Sequence, residues 1–208
     1  MDKKVKDLIN EISSKEPVPG GGAVSAFSGS VAVSLCQMVC NLTIGKKRYR
    51  EYDEETRIKI DNIERLCEVE KQEFLDLFDR DNQAFDRVMQ VIRMPKETDE
   101  EIKNRKQKLA EAYKGAMEVP LEVARKIENF YQNIIFISEF GNPNCITDVG
   151  VASLQAFSAL QGAILNVKIN LDGIKNEELA NKTRTECETL LERVQSKHQE
   201  IMARVAQI

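Results

Sequence analysis

Residues 74–92, FLDLFDRDNQAFDRVMQVI, decide how this chain folds. Phe74, Phe78, Asp81, Phe85, Val88 and Ile92 follow one another at steps of four, three, four, three and four. That period gathers side chains on one face of an α-helix, whereas a strand would alternate. The face is apolar and is predicted to be buried, yet a carboxylate sits in its middle. An unpaired buried charge is costly, so such a group is ion-paired, hydrogen-bonded or protonated. Two readings follow: a structural ion pair, with Lys47 or Arg48 as partner, or an acid poised to move protons.

Outward from this stretch the pattern stays helical. The same helix is expected to begin at Asp53, an N-cap followed by Glu54 and Glu55, and to reach Met94, where Pro95 stops it. Ile60, Ile63, Cys67 and Glu70 extend its stripe, making Glu70 a second acid near the buried side. Thr98-Asp99-Glu100-Glu101 opens the next helix as a capping box. Pro120 is expected to kink or split that helix, with a further one running to Phe140 and capped by Gly141. A short amphipathic helix over about Lys3–Ser14 precedes all of this. A long one from about Asn176 to Val205 closes the chain, with Leu179, Thr183, Cys187, Leu190, Val194, His198, Ile201 and Val205 on one stripe.

Two runs are uncharged, 23–45 and 149–167. Both are interrupted by Ser, Gln and Asn, which weighs against a membrane span and suits the centre of a helical bundle. With no alternating stretch, repeat or linker, the reading is all-α. Residues 1–208 form a single domain of six to seven mostly antiparallel helices, two uncharged ones inside and longer amphipathic ones around them.

Composition narrows the function. The formal net charge of −4 argues against a nucleic-acid binder. The five cysteines, at 36, 40, 67, 145 and 187, form no CxxC pair and read as buried thiols of a reducing compartment. A single histidine, His198, lacks the company needed for a conventional zinc site or a Ser-His-Asp triad. The N-terminal residues show no signal-peptide core, and a cytoplasmic location with no membrane partner is expected.

Two irregular segments hold the remaining candidates. Pro19-Gly20-Gly21-Gly22 leads into the first uncharged helix, either as a flexible turn or as a cradle of converging N–H groups. Asn142, Asn144, Thr147 and Asp148 lead into the second, as helix caps, ligand contacts or both. Each segment precedes a core-helix N-terminus, so one shared mouth is expected. Lys46, Lys47, Arg48, Arg93 and Lys96, which flank Pro95 and the exit of the first uncharged helix, read as a solvated face or as a holder for a polycarboxylate tail.

Together these pieces resemble the cyclodeaminase/cyclohydrolase family of folate enzymes. The likeness is to stand-alone methenyltetrahydrofolate cyclohydrolases and to the C-terminal domain of formiminotransferase-cyclodeaminase. It rests on Pro17-Val18-Pro19-Gly20-Gly21-Gly22, on Asp81-Asn82-Gln83-Ala84-Phe85, and on Gly141-Asn142 followed by Thr147-Asp148-Val149-Gly150-Val151-Ala152. The resemblance implies an all-α homodimer without metal or other cofactor, and a tetrahydrofolate substrate in a groove lined by helices and the glycine loop. It assigns Asp81 as the catalytic carboxylate. Substrate contacts are expected from Pro19, Gly20, Gly21, Gly22, Lys47, Asn142, Asn144, Thr147 and Asp148, with Glu70 and Asp148 as secondary acids. Hydrolysis of 5,10-methenyltetrahydrofolate is the expected reaction. Cyclodeamination of the formimino derivative and non-catalytic folate binding are the alternatives.

Overall fold

The computed structural model describes residues 4–207 and is helical throughout, with no strand among them. Seven helices follow in order: α1 (Val5–Ile12), α2 (Gly21–Thr43), α3 (Lys47–Glu51), α4 (Glu54–Ile92), α5 (Asp99–Phe140), α6 (Ile146–Leu171) and α7 (Glu177–Val205). A single 3₁₀ turn, Pro143–Cys145, sits before α6. The expected start of the first helix at Lys3 lies outside the described residues. Of its apolar stripe only Leu8 is buried; Val5, Ile9 and Ile12 are exposed.

Capping chemistry sets the boundaries. The Asp53 carboxylate accepts from the Thr56 N–H at 2.8 Å, opening α4. Thr98 and Glu101 exchange the two bonds of a capping box at the start of α5. The short α3 went unread in the sequence because its five residues, KRYRE, carry too little apolar periodicity.

The uncharged helices α2 and α6 occupy the centre, as their composition requires. They run antiparallel: Gly21 lies beside Asn166, and Ser25 beside Gly162. Around them pack α4, α5 and α7. The α4 stripe buries Ile60, Ile63, Cys67, Phe74, Leu77 and Phe78 against this centre. Arg80 pairs with Glu122, and Lys126 with Glu70 at 2.9 Å and with Glu73, which clamps α4 antiparallel to α5. By contrast α7 runs parallel to α5, through Arg125–Glu186, Lys197–Glu128 and Arg204–Glu139. All five cysteines are buried and free.

Pro120 corrects an expectation: α5 passes it as one helix of 42 residues. Proline removes the N–H that would bond the carbonyl four residues back. That carbonyl is Ala116 O, and the Asn170 side-chain N–H from α6 donates to it at 3.1 Å. The tertiary partner replaces the missing backbone bond, so the helix continues.

Candidate active site

Asp81 lies two-thirds of the way along α4, where that helix crosses the first turn of α2. The approach requires glycine: a Cβ on Gly22 would fall 2.3 Å from Asp81 Oδ1. The backbone N–H of Ala23 donates to the carboxylate. Asp81 therefore faces the positive end of the α2 dipole. Burial is the larger influence, and it pushes the Asp81 pKa up to about 6, while the Ala23 N–H acts in the opposite direction. No ion pair reaches Asp81 among the described residues, which removes the structural-pair reading. Lys47 pairs instead with Glu51, and Arg48 donates to the Tyr52 hydroxyl, both on the surface.

Beside Asp81 opens a cavity of about 570 Å³, in the range of small-molecule sites. Its wall has three parts. The loop ahead of α2 supplies Pro17, Val18, Gly20, Gly21 and Gly22. Below Asp81, α4 adds Phe85, Val88, Met89 and Ile92 at the helical spacing that defines its apolar stripe. The far wall comes from Tyr113 and Ala116 of α5, with Asn166, Ile169 and Asn170 of α6 and the Asp172-Gly173 turn. This lining holds two carboxylates and no Lys or Arg. A flat, partly aromatic, cationic ligand matches such a wall; a phosphate does not.

Pro19 is in the same loop but does not line the cavity. The expectation of one shared mouth is overturned. Because α2 and α6 are antiparallel, their N-termini lie at opposite ends of the bundle. Asn142, Asn144, Thr147 and Asp148 are therefore remote from Asp81 within the same chain. There the Asn142 N–H bonds Thr43 Oγ1 at 2.8 Å, and Asn142 Oδ1 accepts from the Asn144 N–H. Lys47 stands at that end too, beside Asn142 and Asn144 in a smaller, shallower cleft. Glu70 is held by Lys126 away from the cavity, so it is a structural acid.

Asn166 and Asn170 were missed as site residues. One signal was available: two amides four residues apart towards the end of α6, on the face turned towards α5 and the glycine loop. Asp172 and Gly173 follow the last turn of α6 and complete the far wall. His198 behaves as a packed residue, stacked on Phe157 and 2.8 Å from Ser153 Oγ, with burial lowering its pKa. Among the described residues no cluster of His, Cys, Asp and Glu is arranged to hold a metal ion.

A helical bundle with a lone unpaired acid over a glycine-rich helix start is the class that fold and site define. A formiminotransferase-cyclodeaminase family profile matches residues 4–189, and the chain belongs to that family. It is 36% identical over 190 residues to a methenyltetrahydrofolate cyclohydrolase of Methylorubrum extorquens, covering 91% of this chain and 89% of that protein. With the formimidoyltransferase-cyclodeaminase of Gallus gallus it shares 29% identity, spanning 91% of this chain and 34% of the longer protein. The crystal structure of formiminotetrahydrofolate cyclodeaminase from Thermotoga maritima superposes with a TM-score of 0.87 at 27% identity. It covers 99% of this chain and 97% of that one.

Proposed function

We propose that this protein is a methenyltetrahydrofolate cyclohydrolase, hydrolysing 5,10-methenyltetrahydrofolate to 10-formyltetrahydrofolate, with Asp81 as its catalytic group. The observation that carries the reading is an unpaired carboxylate at the floor of a cavity without basic residues. The substrate is a cation: its one-carbon unit is an amidinium carbon between N5 and N10. An Asp81 carboxylate attracts that charge, and the apolar wall of Phe85, Val88 and Met89 receives the flat ring.

The chemistry needs one group acting twice. As base, Asp81 takes a proton from a water attacking the amidinium carbon, leaving a neutral tetrahedral adduct. As acid, it returns a proton to N5 while the C–N5 bond breaks and the carbonyl forms. The product keeps the formyl group on N10, and one proton is released overall. Such help is worth about 10²–10⁴-fold. An acid with a pKa near the working pH serves both steps better than an ordinary aspartate. The substrate is already electrophilic, so these steps call on no metal or other cofactor. Gly20, Gly21 and Gly22 bring backbone within reach of the pterin, and Asn166 and Asn170, whose N–H groups bond backbone carbonyls, offer their amide oxygens to its polar edge.

The relation to the Thermotoga cyclodeaminase supports a second reading, in which Asp81 protonates departing ammonia while the formimino group cyclises. Two assays decide. Decay of methenyltetrahydrofolate absorbance above the buffer-catalysed rate supports the hydrolase. Ammonia release from 5-formiminotetrahydrofolate, with no such decay, supports the deaminase. Absence of both ends the enzymatic assignment. A cytoplasmic homodimer is part of this reading.

A further inference from the structure

The wall around Asp81 carries no Lys or Arg, yet the next cavity along α5 is lined by three cations. That second cavity has a volume of about 270 Å³ and is lined by Arg105, Lys106 and Lys175; among the described residues no acid lines it. Gly173 belongs to both cavities. Its turn lies so close to α5 that a Cβ there would fall 2.3 Å from the Tyr113 ring. Along α5 the two cavities are continuous. Tyr113 lines the first, and Leu109 and Arg105, one and two turns earlier, line the second.

The second cavity is electrostatically incomplete. Lys106 and Lys175 bring two ammonium groups together, and the repulsion from Lys106 lowers the Lys175 pKa. Arg105 Nη2 donates to the Ile92 carbonyl at 3.0 Å, while Arg105 Nε is buried with no hydrogen-bond partner. Like charges held side by side and a buried donor left unpaired both cost stability, and one bound anion relieves both.

The spacing fits the proposed substrate. Ile92, whose carbonyl holds Arg105, is 11 residues beyond Asp81 on α4, about 16 Å along the helix. In methenyltetrahydrofolate an aminobenzoyl ring and an amide lead from the one-carbon unit to the glutamate carboxylates over a comparable length. Between the two charged ends, Val88, Met89 and Ile92 offer that ring an apolar wall.

We propose that Arg105, Lys106 and Lys175 form a carboxylate subsite that holds the glutamate end of the substrate while its cationic end lies at Asp81. The assignment rests on the proposed substrate, and it fixes the direction in which that substrate lies. A ligand positive at one end and negative at the other fits this groove one way round only. Lys46, Lys47 and Arg48, the other basic cluster, line a separate cleft at the opposite end of the bundle and take no part.

The test reads binding as well as turnover. In titration calorimetry of the whole chain, 4-aminobenzoylglutamate is expected to bind about tenfold or more tighter than 4-aminobenzamide, which lacks the carboxylates. Lys106→Gln/Lys175→Gln changes two exposed side chains and is expected to abolish that preference, whereas Lys47→Gln keeps it. Added salt should weaken the preference in the wild type. In turnover, the double variant should raise KM for methenyltetrahydrofolate severalfold and leave KM for the methenyltetrahydropteroate analogue, which has no glutamate, where it was. Fragments that bind equally well or not at all, or a preference lost equally in Lys47→Gln, overturn the subsite. Free glutamate binding as tightly as 4-aminobenzoylglutamate would make this a site for a separate anion and overturn its assignment to the substrate's arm. A chain that shows the fragment preference but turns over no folate keeps the subsite and loses the reaction, so the two failures are distinct.

Discussion

At Asp81 the cost of burial and the demands of catalysis pull in opposite directions. Its folded pKa, about 6, is above the ordinary aspartate value, so the folded state binds the proton more tightly than the unfolded chain. The stability it contributes is present below pH 4 and is lost as pH rises through 6. Asp81→Asn should therefore stabilise the protein at pH 7 by about 1–3 kcal/mol while lowering kcat about 10²-fold or more. Chemical denaturation beside steady-state turnover measures both; full activity in the variant ends the assignment. Turnover needs the carboxylate in the free enzyme, so kcat/KM should fall on the acid side with a midpoint near 6, and that limb should vanish in Asp81→Asn. Gly22→Ala pushes a methyl group into the carboxylate. A kcat loss with circular dichroism intact is expected, and an unaffected rate would show that the carboxylate need not stay where it is.

Helix α5 shows how an element survives a residue that ordinarily breaks it. The Ala116 carbonyl, freed by Pro120, is bonded by Asn170, and both residues of that bond also line the cavity. Asn170→Leu should cost about 1–3 kcal/mol, because it strands the carbonyl of the buried Ala116. Pro120→Ala restores an N–H four residues ahead and should recover much of that loss in the double variant. Urea denaturation of the four proteins of this cycle measures the coupling; strict additivity would mean that Asn170 does not stand in for the backbone. The helix starts, by contrast, were readable because a cap is a local device. Asp53, Thr98 and Asn176 each bond an N–H three residues on, and nothing distant alters that.

Across the whole molecule, the antiparallel arrangement of α2 and α6 sets one polar loop at each end of the bundle. The proposed homodimer should show a melting temperature that rises with protein concentration, and a concentration-independent one would count against it. Differential scanning calorimetry over a hundredfold concentration range reads this directly. The all-α class, the central position of the two uncharged helices and the singular placement of Asp81 were legible in the residues themselves. They depend on periodicity and on the absence of charge, properties of a helix face that exist before any packing. The meeting of Asp81 with Gly20, Gly21 and Gly22 in one cavity was expected, but the far wall of that cavity was not legible. Asn166 and Asn170 meet Gly21 and Ala116 through the direction and register of packed helices, and Thr147 and Asp148 are separated from Asp81 by the same cause. Spacing along one helix carries no information about which end of its neighbour it will touch; that was decided only when α2, α4, α5 and α6 closed around a common core.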